Sequence, residues 1–140
     1  MAANSDPIYS RVGAIGWSTA GAISAAANDL TGISTNNVVI FTADTDNGGF
    51  LQRLRWKHAG TNVAGVARVY INNSSGTTVV GNNVLFTEQS LPAITASTAA
   101  PQFDIDTPMN IALPPGYRIV VGLGSSMANG WFATAVAGKY

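Results

Sequence analysis

The chain has no cysteine, a single histidine (His58), and only 7 Lys plus Arg and 7 Asp plus Glu among 140 residues. Without thiols there are no disulfide staples, thiolate metal centres or cysteine nucleophiles. His58 has no second imidazole to share a metal, and no serine sits in a GxSxG setting. An ordinary soluble domain is about a quarter charged, whereas this one is 10 % charged. The formal net charge is zero, which removes the excess of clustered Lys and Arg that nucleic-acid binding rests on. It also leaves little self-repulsion between copies. No run approaches the ~20 apolar residues of a membrane helix, so neither a membrane nor a nucleic-acid partner is expected.

Residues around Arg11 and the apolar stretch Val12–Ala27 imitate a secretion signal, but poorly. Asp6 offsets Arg11, and Gly13, Gly16, Trp17, Ser18, Thr19, Gly21 and Ser24 interrupt the apolar core. The expectation is an N-terminal arm and first-strand region over 1–35, followed by a single sandwich over 36–140.

What the chain does have is hydrophobic residues, 46 % of the total, cut into short runs by turn chemistry. Val38–Thr42 is β-branched and aromatic, and Asp44–Gly49 follows it with residues that tolerate left-handed backbone. Phe50–His58 alternates, with Phe50, Leu54 and Trp56 on one face and Arg53, Arg55 and Lys57 on the other. Val63–Asn72 and Asn83–Leu91 read as further strands. Phe103–Ile105 and Ile111–Leu113 read as short strands flanking Asp106–Pro108. Pro114-Pro115-Gly116 is a strong turn, and Tyr117–Leu123 and Trp131–Ala137 complete the set. Ala20–Leu30 allows at most a short turn of helix, since it lacks a 3.6-residue apolar stripe. The spacing predicts an all-β fold, an antiparallel β-sandwich of about eight strands, of jelly-roll or immunoglobulin-like type. Trp56 and Val69 are expected in its core.

Candidate chemistry is sparse. His58 ends a strand beside a turn and reads as a surface residue. Asp44 and Asp46 imitate a calcium loop, but no bidentate Glu follows in register; a turn stabilised by side-chain-to-amide bonds is the simpler reading. Asp104 and Asp106 share a strand face, unlike glycosidase carboxylates, which flank a cleft. No catalytic residue, metal or cofactor is expected. Arg53, Arg55 and Lys57 form a basic stripe that could dock a protein partner. Among Trp17, Trp56 and Trp131, Trp17 lies among Gly and Ser and is the best candidate for exposure, with sugar stacking as its functional reading.

Four segments carry a family resemblance: NNVVIFTADTDNGGFLQRLR (Asn36–Arg55), TNVAGVARVYINNSS (Thr61–Ser75), IALPPGYRIVVGLG (Ile111–Gly124) and NGWFATAVAGKY (Asn129–Tyr140). Together they resemble small β-sandwich structural proteins of tailed bacteriophages and prophages, of the head decoration or cement type. The resemblance implies a virion protein on the capsid surface, a homotrimer that bridges major capsid protein subunits and stabilises the lattice. It carries no catalytic residues. A tail- or fibre-associated receptor- or carbohydrate-binding sandwich is the alternative. Contacts with capsid or neighbouring subunits are expected from Asp6, Pro7, Ile8, Tyr9 and Arg11 of the arm, with Arg53, Arg55 and Lys57 adding charge complementarity.

Overall fold

The computed structural model describes residues 11–27 and 29–140, and every regular element within them is a strand. These are β1 (Val12–Trp17), β2 (Val38–Thr42), β3 (Gly49–His58), β4 (Gly65–Asn72), β5 (Asn83–Leu91), β6 (Ile105–Leu113), β7 (Arg118–Leu123) and β8 (Trp131–Lys139). All pairing between these strands is antiparallel: β1 with β8, β2 with β7, β3 with β6 and β4 with β5. The chain is therefore one long hairpin, four strand pairs deep, whose tip is the β4–β5 turn. Rolling that hairpin brings β3 against β8 and β4 against β7. The result is two four-stranded sheets, β1-β8-β3-β6 and β2-β7-β4-β5, packed face to face. This is the jelly-roll form of the sandwich. The immunoglobulin-like alternative falls, because that fold divides its strands differently and lacks the β1–β8, β2–β7 wrapping.

The core lies between the sheets and is built from alternate residues of each strand. Leu51, Leu54 and Trp56 of β3 meet Ala67 and Val69 of β4, Ile119, Val121 and Leu123 of β7, and Trp131 and Ala133 of β8. Trp56 and Val69 are fully buried, as expected. A buried indole N–H usually finds a partner. Trp56 Nε1 donates to Thr107 Oγ1 at 3.0 Å, and that hydroxyl donates to Gln89 Oε1 at 2.8 Å. This short chain ties β3 and β6 of one sheet to β5 of the other.

Several local expectations need correction. In β3 the inward residue near the start is Leu51, not Phe50, because the pairing skips Gln52 between Leu51 and Arg53. Such a bulge reverses the alternation once, so Phe50 and Leu54 point to opposite faces. The two short strands around Asp106–Pro108 are one strand, β6. Proline lacks the N–H a central strand needs, but β6 is a sheet edge, where that loss costs no ladder bond. Asn110 takes φ +50° where the β3–β6 register shifts. Val63 lies outside β4 and is exposed. Ala20–Leu30 forms no helix in its described residues. Instead Ile23 bridges to Trp131 and Ala26 to Leu123, so this segment laces the two sheets together.

The two outer faces are treated differently. Over β4 and β7, the connection between β1 and β2 lies down as a cover. Ala27 N donates to Leu123 O at 2.8 Å, Gly32 sits against the Tyr70 ring, and the Asn37 side chain rests on Gly122. Tyr70 Oη donates to the Asp29 carbonyl and is fully buried for this reason. Asp29 in turn accepts from Thr31 N at 2.7 Å and Ser34 N at 2.9 Å. Burial alone raises its pKa, but these bonds outweigh it and hold the carboxyl below its ordinary value. Among the described residues, the outer face of β1-β8-β3-β6 has no such cover over its β1 and β8 side.

Candidate functional site: the uncovered sheet face

Cross-strand register defines this face row by row, since directly opposed residues point to the same side. One row is Ile15, Val136, Arg53 and Pro108. The next is Trp17, Thr134, Arg55 and Asp106. A third pairs Phe132 with Lys57, and Asp104 lies beside Lys57. The β1–β8 half is apolar and open: Ile15 is 64 % exposed, Trp17 57 % and Phe132 43 %. The β3–β6 half is charged.

The charged half is an interlocked ladder. Arg55 donates through Nε to Asp106 Oδ1 at 2.8 Å and through Nη2 to Oδ2 at 2.9 Å. Its Nη1 lies 3.5 Å from Asp104 Oδ2. Lys57 Nζ donates to Asp104 Oδ1 at 2.7 Å and to the Gln102 carbonyl. Arg53 is the loosest member, 3.9 Å from Asp106, and its Nε has no hydrogen-bond partner among the described residues. The hydrogen bond and charge of Lys57 hold the Asp104 carboxyl below its ordinary value, and those of Arg55 do the same for Asp106.

The stripe of Arg53, Arg55 and Lys57 therefore stands where the alternation put it, together on one face. What pairing across β3 and β6 adds is Asp104 and Asp106, which take up most of its charge. Little free charge remains for steering a distant acidic partner. Arg11 stands at the foot of β1, exposed, with its backbone N–H donating to Lys139 O at 2.8 Å. Asp6, Pro7, Ile8 and Tyr9 lie outside the described residues. Sequence reading did not single out Ile15, Phe132 or Val136. The signal was there, in the alternation of Phe132, Thr134 and Val136 against Ala133, Ala135 and Ala137.

Elsewhere the candidate groups are engaged in contacts within the fold. His58 is buried, not a surface residue as its place beside a turn suggested, because the β7–β8 and β5–β6 loops close over the end of β3. Its ring meets Trp131 edge-on at a centroid distance of 5.8 Å. Nδ1 lies 3.2 Å from the Gly60 carbonyl and Nε2 3.1 Å from the Gln102 amide oxygen. Asn62, also buried, joins the same end: its Oδ1 accepts from Asn129 N and Gly130 N, and its Nδ2 donates to Gly130 O. Asp44 Oδ1 accepts from the amides of Asp46 and Asn47 at 3.0 and 2.9 Å. Those bonds pull its pKa down and make the loop a self-satisfied turn. Among the described residues no group of three or more His, Cys, Asp or Glu is placed to hold a metal ion.

No protein-family model, curated protein or solved structure matches this chain. Fold and surface are thus the basis for function.

Proposed function

We propose that this chain is a non-enzymatic decoration protein of a tailed-phage head, which binds the outside of the capsid and braces its lattice. The four segments that carry the resemblance supply strands of both sheets. The observation that carries the reading is the far edge of the sandwich. On β5, Val84 is 59 % exposed and Phe86 46 %, and Val79 and Val80 in the preceding turn are exposed as well. An edge strand this apolar invites another chain, and proteins that stay monomeric usually blunt such edges with charge or proline.

On this reading the β5 edge is the contact between copies of a homotrimer. Residues Asp6–Tyr9 reach a neighbouring major capsid protein subunit, with Arg11 at their root. A proline at position 7 disfavours helix at the residue before it, and Ile8 and Tyr9 are apolar residues of the kind that dominates interfaces. Stabilisation is then mass action: whatever binds only the assembled shell shifts the equilibrium toward it. The test is to mix the protein with undecorated heads and measure copy ratio by sedimentation. Saturation at a fixed ratio to the major capsid protein is expected, as is weaker occupancy after deletion of residues 2–9. Recovery with isolated tails and not with heads would move the protein to the tail- or fibre-associated alternative. Unchanged occupancy after the deletion would transfer the anchor to loops of the sandwich.

A further inference from the structure

We propose that the Trp17 end of the uncovered face is a saccharide-binding platform. Its occupant stacks on Trp17 and Phe132 and hydrogen-bonds to the Arg53–Arg55–Asp106 edge beside them. Trp17 and Phe132 are diagonal neighbours across β1 and β8, since Trp17 opposes Thr134 two residues from Phe132. Aromatic side chains at that offset, about 7–8 Å, reach one another and form one surface. The surface is flat and rigid, because both residues stand on paired strands rather than loops.

Size and charge together select the ligand. Ile15, Trp17, Phe132 and Val136 stand on two adjacent strands and span four residues along β8, a patch of about 10 by 13 Å with each strand given its own width. A stable protein interface takes about 800 Å² from each partner, several times that footprint. Interface cores between proteins are also depleted in charge, whereas Arg53 and Lys57 stand directly beside Val136 and Phe132, with Arg55 between them and Asp104 and Asp106 on the strand side beyond. Two carboxylates in the ladder oppose a phosphate-bearing ligand. A pyranose fits the mixture: one face of C–H bonds to lie on the indole, and a rim of hydroxyls that both donate and accept. The ladder offers both functions already oriented. The Arg53 side chain is 38 % exposed and carries further guanidinium N–H donors, and the carboxylates held by Arg55 and Lys57 retain accepting lone pairs. Groups locked in place lose little freedom on binding.

Trp17 ends β1 at the opposite end from Arg11, about 17–20 Å away along the strand. The platform and Arg11 are thus at opposite ends of β1, and this inference does not rest on capsid binding. The experiment uses the full chain, titrated with cellotriose, chitotriose and maltotriose and applied to a printed array of neutral and acidic glycans. Trp56 and Trp131 are fully buried, so a saturable change in tryptophan fluorescence reports Trp17. At least one saccharide class is expected to bind. Trp17→Ala should weaken that binding about tenfold, the order of one aromatic stacking contact, and Arg53→Gln should weaken it less. Val39→Ala, on β2 of the other sheet, should leave affinity unchanged, and unaltered thermal unfolding of Trp17→Ala would show that the fold survives. Absence of binding across probes and array overturns the proposal, as does binding that Trp17→Ala leaves intact. Concentration-dependent association that Trp17→Ala abolishes also overturns it, and makes this face a contact between copies.

Discussion

Arg55 and Asp106 grip one another with two parallel hydrogen bonds across β3 and β6, Nε to Oδ1 at 2.8 Å and Nη2 to Oδ2 at 2.9 Å. Lys57 and Asp104 repeat the pairing one row on. Lys57 depresses the Asp104 pKa and Arg55 that of Asp106, both from an ordinary value of 3.8. A carboxyl whose pKa is lower folded than unfolded stabilises the fold fully above its unfolded value. That contribution fades as pH falls below about 3.8 and through the lower folded value. The double variant Asp104→Asn/Asp106→Asn should therefore be less stable than the parent at neutral pH, in urea unfolding at low salt. The gap should close in acid. A gap independent of pH would mean that the ladder does not contribute through charge.

Thr107 is the hinge of a buried hydrogen-bond chain, accepting from Trp56 and donating to Gln89. Thr107→Val keeps the volume and removes both bonds, stranding a buried indole N–H. The expected loss is about 1–3 kcal/mol, measured by urea unfolding, with Thr107→Ser close to the parent. Leu54→Ala, which opens a cavity at a fully buried site, should cost about 2–5 kcal/mol.

The cover over β4 and β7 hangs on Tyr70, whose hydroxyl donates to the Asp29 carbonyl. Tyr70→Phe removes that bond and leaves the ring in place, for a loss of about 0.5–1.5 kcal/mol. Hydrogen exchange should quicken at the amides of Thr31 and Ser34, which are held by the Asp29 carboxylate. Exchange at core amides such as Val69 and Val121 should be unchanged once global stability is accounted for.

The strands with clean period-2 alternation or strong turn boundaries were legible in the sequence. Val38–Thr42 and Asn83–Leu91 coincide with β2 and β5, and the Asp44 turn is built as its residues require. What sequence concealed was long-range. The bulge at Gln52 is visible only once β8 supplies the register. Pro108 reads as a break until β6 is known to be an edge. Tyr70 lies on the solvent side of its strand and is buried only because residues 29–32 fold over it. The stripe of Arg53, Arg55 and Lys57 was readable from β3 alone. Its partners Asp104 and Asp106 stand on the far side of two intervening strands of sequence, and no local pattern joins them. The apolar half of the same face was fragmented in the same way, with Ile15 and Trp17 at one end of the chain and Phe132 and Val136 at the other.

Gly16 and Gly13 share β1 but occupy opposite situations, which gives a paired test of how the sandwich closes. Gly16 points inward, where an added Cβ would collide with the Ile40 carbonyl oxygen of β2; Gly13 has open space around it. At this β1–β2 contact only a residue without a Cβ lets the backbones approach so closely. Backbone atoms cannot move aside as a flexible side chain can, so Gly16→Ala must push β1 away from β2. The expected cost is about 1–3 kcal/mol, that of forcing volume into a packed site. Gly13→Ala faces no such obstacle and restricts the unfolded chain, so it should be neutral or stabilise by up to about 1 kcal/mol. Thermal and urea unfolding of the two variants side by side would decide it. Equal effects would show that β1 closes on β2 without needing glycine at the contact.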